Sequence, residues 1–299
     1  MRISTITAAI AAVAIAVTAA PIYMDFDMES SPAPSTSAID VLNFALTLEH
    51  LEAAFYNYGF DKFDNAAFVA GGFDATVRDR LEHVREHEND HVTVLTQVIT
   101  SLGGNPVPAC TYNFPLDNVP QFLAIAQALE TTGVSAYTGA LDDLEGDLLT
   151  AAGTIATVEG RHAFFLSEVL GQLGFPYSFD TPLSPRQVIT IATNFITSCP
   201  FDLGVLPYTQ LTAALPADGS TKVSTSFTGE ESYAIENTWC QFLYRDHVVV
   251  SPRAQCALPP GAIGYVYVFV TSSTNPVNKP NSDILAGPVL LFNGSHDNQ

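Results

Sequence analysis

The sequence predicts a mainly α chain, with four long helices and a short fifth followed by a C-terminal part of loops with some β-structure. Three observations lead there. Apolar residues recur at alternating spacings of three and four through four segments between about residues 38 and 198, which is the stripe of an amphipathic helix. Those segments carry start and stop residues at their ends. After Pro200 the chain turns to Thr, Ser, Pro, Gly and aromatics in short runs, of which Tyr265-Val266-Tyr267-Val268-Phe269-Val270 reads as a buried strand.

Taken in order, residues 1–20 hold Arg2, an apolar stretch from Ile6 to Ala16 and small residues up to Ala20. That pattern reads as a secretory signal peptide, too short for a membrane span. Residues 21–37, rich in Pro, Ser, Asp and Met, are expected to form a flexible arm. The first helix is placed from about Ala38 to Tyr58, stopping at Gly59. The second follows Asp74 as N-cap and ends at Gly103-Gly104. The third starts after Asp117 with Pro120 in its first turn. The fourth follows Asp147 and ends near Gly171 to Gly174, and a short fifth runs from Ser184-Pro185 to before Cys199-Pro200. Residues 38–198 are thus a helical domain and 199–299 a β- and loop-rich extension.

The chain has 31 acidic and 11 basic residues, a net charge of −20, and 47% hydrophobic residues. That composition is sufficient for a packed core, and without clustered Lys and Arg a nucleic-acid partner is excluded. No later run is long and apolar enough to span a membrane. The four cysteines fit two disulfides in an oxidising, extracellular or cell-wall setting. Cys110 with Cys199 and Cys240 with Cys256 is one pairing, and the two others stay open. Asn293-Gly294-Ser295 is an acceptable glycosylation sequon.

Chemistry enters on the buried stripes. That of the second helix reads Leu81, Val84, Glu88, His91, Leu95, Val98, Leu102, and that of the fourth Ile155, Glu159, His162, Leu166, Val169, Leu173. The first reads Leu42, Ala45, Glu49, Glu52, Tyr56, and the third Leu123, Ala126, Glu130, Gly133, Tyr137, Ala140, Leu144. The chain is therefore a twofold repeat of helix pairs, each giving Glu-x6-Tyr and then Glu-x-x-His. With 13 Glu and 7 His in the chain, chance supplies about 0.3 Glu-x-x-His pairs, and here both stand on seams. Buried charges need partners or a metal.

Glu49, Glu88, His91, Glu130, Glu159 and His162 match the ligand set of dinuclear carboxylate proteins. Two divalent cations would neutralise the four carboxylates, and the imidazole and carboxylate donors suit iron or manganese. Glu52 is a further inward carboxylate opposite Gly133, and either replaces Glu49 as ligand or serves as an acid-base group. Tyr56 and Tyr137 hydrogen-bond ligands, carry electrons, or are core aromatics. His87-Glu88-Asn89-Asp90-His91 also fits the zinc-protease pattern H-E-x-x-H, but that leaves Glu159 and His162 unexplained. His83 and His87 are read as polar-face or bundle-edge residues, and His50 and Arg161 as flanking groups.

The segments Leu46-Thr47-Leu48-Glu49-His50-Leu51-Glu52-Ala53-Ala54-Phe55-Tyr56, Glu88-Asn89-Asp90-His91, Ala109-Cys110-Thr111-Tyr112-Asn113-Phe114-Pro115 and Thr157-Val158-Glu159-Gly160-Arg161-His162-Ala163 resemble the ferritin-like superfamily. Within it they are most similar to secreted fungal ferritin-like proteins described as stress-response and desiccation-related. The resemblance covers about residues 38–198. It implies a four-helix bundle with a long crossover between the second and third helices, and a di-iron or di-manganese site on the six residues above. Three functions are compatible with it: a redox enzyme acting on peroxide or dioxygen, with Glu52, Tyr56 and Tyr137 as candidate catalytic residues; metal sequestration; and a structural stress protein. The oligomeric state is open.

Overall fold

The computed structural model describes residues 36–216, 219–245, 247–279 and 283–294. The expected signal peptide, the arm up to residue 35 and Ser295 of the sequon lie outside the described residues. Among the described residues six α-helices come first: α1 (Thr36–Lys62), α2 (Asn65–Ala70), α3 (Ala75–Ser101), α4 (Val119–Ala140), α5 (Gly146–Val169) and α6 (Pro185–Ala192). Eight strands are interleaved or come after: β1 (Thr111–Tyr112), β2 (Ile196–Ser198), β3 (Leu211–Ala214), β4 (Ser224–Phe227), β5 (Trp239–Tyr244), β6 (His247–Pro252), β7 (Gly264–Thr271) and β8 (Ile284–Asn293).

Helix α1 packs on α3, and α4 on α5. The apolar stripes form two slabs with the charged residues between them. One slab holds Leu42 and Leu46 of α1, Leu95 and Ile99 of α3, Tyr137 of α4 and Ile155 of α5. The other holds Phe55, Leu81, Phe122 and Leu166 from the same four helices. Along α1 and α5 the chain passes from the first slab to the second, and along α3 and α4 from the second to the first. Helices α3 and α4 therefore run the same way, so the chain must travel back along the bundle between them, which is the long crossover. Its return path is pinned to α1, where Val107 N donates to Asn43 Oδ1 (2.9 Å) and His50 Nε2 donates to the Val107 carbonyl (3.1 Å). Further along, β1 pairs antiparallel with β2, and Cys110–Cys199 clips that junction.

The caps explain most helix ends, and three expectations are corrected. Helix α1 does not stop at Gly59 but runs through it to Lys62. That glycine makes room rather than a turn, since a Cβ there would lie 2.2 Å from Phe122 Cε2. Helix α4 starts after Asp117 with Asn118 as its cap, whose side chain accepts from Gln121 N at 2.9 Å. Helix α5 begins at Gly146, so Asp147 lies in its first turn. The Asp74 cap of α3 is present, and Gly103, at φ +79°, reverses the chain after it. The fifth helix ends at Ala192, and the residues before Cys199 form β2.

Beyond residue 200, β3 and β4 make an antiparallel hairpin, and β6-β5-β7-β8 make an antiparallel sheet. Side chains alternate across this sheet. Val266, Val268, Val270, Phe242 and Tyr244 enter one apolar cluster, while Tyr267, Phe269 and Leu243 join the bundle core. Both faces are covered, which is why residues 265–270 read as a continuous apolar run. The Tyr267 hydroxyl reaches Ser135 Oγ of α4 at 2.6 Å, and Cys240–Cys256 closes the second disulfide.

Candidate metal centre

Four helices deliver the charged layer between the two slabs. Helix α1 gives Glu49 and Glu52, α3 gives Glu88 and His91, α4 gives Glu130, and α5 gives Glu159 and His162. Glu49, Glu88, Glu130 and Glu159 are 0% exposed. Ligand atoms of Glu49, Glu88, His91 and Glu159 lie within 4.8 Å of one another, and so do those of Glu88, Glu130, Glu159 and His162. The two groups share Glu88 and Glu159. Each thus has one private Glu, one private His and the two carboxylates from the Glu-x-x-His motifs.

The private pairs are cross-braced. His91 Nδ1 lies 3.2 Å from Glu49 Oε2 and 3.1 Å from Glu88 Oε2. His162 Nδ1 lies 3.1 Å from Glu130 Oε2. On the far oxygens, the Tyr137 hydroxyl of α4 donates to Glu49 Oε1 of α1, and the Tyr56 hydroxyl of α1 donates to Glu130 Oε1 of α4. Each tyrosine therefore braces the carboxylate of the other repeat and leaves its second oxygen facing the cluster. Burial and the adjoining carboxylates hold both phenols well above their usual range, so they stay protonated donors.

The chemistry of this donor set is that of a hard cation site. Glu88 Oε1 and both Glu159 oxygens accept no hydrogen bond, although His162 Nδ1 stands 3.0 Å from the former and His91 Nδ1 3.3 Å from Glu159 Oε1 at ion-pair distance. Burying carboxylate oxygens in that state is costly without a cation. Burial, then the neighbouring carboxylates, hold the Glu159 carboxyl well above the carboxylate range and push Glu88 up to about 7. The converging oxygens and ring nitrogens, with no sulfur, are compatible with a dinuclear site for divalent ions that these residues would hold, Glu88 and Glu159 being common to both groups.

Glu52 belongs to neither group of four. It is buried against the cluster, and burial together with repulsion from Glu159 and Glu49 holds its carboxyl well above the usual carboxylate range. Gly133 provides its space: a Cβ there would lie 3.1 Å from Glu52 Oε1 and 2.9 Å from Glu159 Oε2. His50 faces the crossover and Arg161 is exposed. His87 is closer to the centre than its place off the stripe suggests, with Nδ1 at 3.0 Å from His162 Nε2. It is absent from both groups of four, so the H-E-x-x-H pattern does not bring His87 and His91 onto one ion. The spacing of H-E-x-x-H on a helix edge facing α5 was the one signal that could have marked it.

Among known proteins, residues 37–172 match the model of the ferritin-like domain. Protein rds1 of Schizosaccharomyces pombe is 30% identical over 181 residues, which are 60% of this chain and 41% of that protein, so the match spans less than half of that relative. A ferritin-like, diiron-carboxylate protein from Bacillus anthracis is similar at 19% identity over 46% of this chain and 99% of its own, with a TM-score of 0.39. A conserved hypothetical protein from Mycobacterium tuberculosis is similar at 17% identity over 48% of this chain and 96% of its own, with a TM-score of 0.38. Residues 37–172, a little under half of the chain, are thus similar to the ferritin-like domain.

Proposed function

We propose that this chain is a secreted dinuclear iron or manganese protein that carries out redox chemistry on a small oxidant, peroxide or dioxygen, in a stress-response setting. The observation that carries the reading is the pair of four-ligand groups sharing Glu88 and Glu159, with three of the shared oxygens accepting no hydrogen bond. When bound, two such ions supply electrons and Lewis acidity to an oxygen substrate.

The residues do the rest. Tyr56 and Tyr137 orient Glu130 and Glu49 so that one oxygen of each faces inward. Glu52 lies buried beside the cluster and outside both ligand groups, at the position of an inner acid-base group that would exchange a proton with a reacting oxygen. The six ligands lie between the apolar slabs, and His91, 13% exposed at its side chain, is the most exposed of them. The two disulfides support an oxidising compartment.

The test is elemental analysis of the purified protein, then peroxide and dioxygen turnover of the loaded form. Two iron or manganese atoms per chain with turnover is the expected result. Two atoms without turnover refutes the redox reading in favour of sequestration, and none after reconstitution refutes the dinuclear site.

A further inference from the structure

His87 stands outside both four-ligand groups, yet its Nδ1 is 3.0 Å from His162 Nε2, with the rings 16° from parallel and their centroids 5.2 Å apart. His162 turns its other nitrogen, Nδ1, to Glu130 Oε2 at 3.1 Å and Glu88 Oε1 at 3.0 Å. An imidazole that offers the Nδ1 lone pair to a cation carries its proton on Nε2, and that N–H needs an acceptor. His87 Nδ1 is in place to accept it, leaving the Nε2–H of His87 toward the exposed side of α3.

The other half of the centre is built differently. The sequence offset that carries Glu88 to Glu159 and His91 to His162 carries His87 to Val158, a hydrocarbon side chain with no acceptor. His91 instead keeps part of its ring open to solvent. The repeat that makes the two ligand sets alike is therefore broken at one neighbour of one histidine.

We infer that His87 is a positioning residue that fixes the Nδ1-binding tautomer and ring angle of His162, so that the Glu130–His162 position holds its divalent ion more tightly than the Glu49–His91 position. This inference rests on the dinuclear reading above. A partner of this kind changes metal affinity roughly 10–100-fold.

The experiment titrates the full-length protein, stripped by chelation, with Mn(II), monitoring loss of the free-ion electron paramagnetic resonance signal. The wild type should bind in two steps. H87F should weaken the tighter step roughly 10–100-fold at unchanged Tm, and H87Q, whose amide oxygen accepts a hydrogen bond, should recover most of the loss. In an E49Q background, where the Glu130–His162 position is intact, H87F should show its full effect, and in an E130Q background it should show none. An unchanged H87F isotherm, an equal effect in both backgrounds, or H87Q no better than H87F overturns the inference while leaving the dinuclear site standing. Failure of the wild type to bind Mn(II) or Fe(II) at all overturns the dinuclear reading and this inference with it.

Discussion

Removing metal should make the fold lose stability as pH rises, and the slope can be worked from the buried carboxylates. In the metal-free protein the Glu88 carboxyl is raised from 4.5 to about 7. A carboxyl whose folded value exceeds its unfolded value binds protons better in the fold, so its contribution is fully present below 4.5 and is lost as pH climbs through about 7. His162, raised from 6.5 to about 9 by Glu130 and Glu88 against the effect of burial, gives a contribution present below 6.5 and lost through about 9. Glu52, Glu159 and His91 shift in the same direction. All five therefore act with one sign. At 1.36 kcal/mol per pH unit, Glu88 alone removes about 3 kcal/mol between pH 4.5 and 7, or roughly 6–12 °C in Tm for a chain of this size. The assay is differential scanning calorimetry of chelated and loaded protein from pH 5 to 8. Because ions compete with protons for the ligands, the gap between the two forms should widen with pH. The double variant E88Q/E159Q, which removes two of the titrating groups, isolates the site from the background charge and should flatten the chelated slope. A chelated wild type with flat or rising Tm, or a double variant with the same slope, refutes the argument.

The same double variant should fall from two ions per chain to near none by elemental analysis, because each residue serves both four-ligand groups. E49Q should lose the ion on the His91 side and E52Q should keep both; the reverse outcome would make Glu52 the ligand. Y137F, which leaves buried Glu49 Oε1 without its phenol donor, should cost about 1–3 kcal/mol in chemical denaturation, and Y56F the same through Glu130. G59A should destabilise by about 1–3 kcal/mol, since its methyl would sit 2.2 Å from the Phe122 ring, and F122L should relieve part of that loss.

Helical period alone made the site legible in the sequence. Each Glu and His on a seam had to point inward, and the structure gathers the six candidate ligands and Glu52 in one layer. The features that stayed hidden depend on neighbours far away in the chain. Gly59 looks like a helix stop until Phe122, from another helix, is seen pressing on it. The antiparallel sheet of β5 to β8 could not be laid out from short runs, because its register is set by pairs such as Phe242 with Val268. His87 falls off the stripe of its own helix, and its relation to His162 exists only across α3 and α5. The tyrosines were ambiguous for the same reason: seven residues after a Glu on one helix, each turns out to brace the Glu of the other repeat.

That crossing explains why the site belongs to the repeat as a whole. A single helix pair, α1 with α3, would supply Glu49, Glu88 and His91, but Glu49 would lack the Tyr137 donor and the group would lack Glu159. The second pair, α4 with α5, would lack Tyr56 and Glu88 in the same way. Neither half can satisfy its own buried carboxylates, so the polar layer penalises separation of the pairs while the slabs on either side reward their docking. The charged layer thus specifies how the two halves meet, at a cost in stability that bound cations would offset.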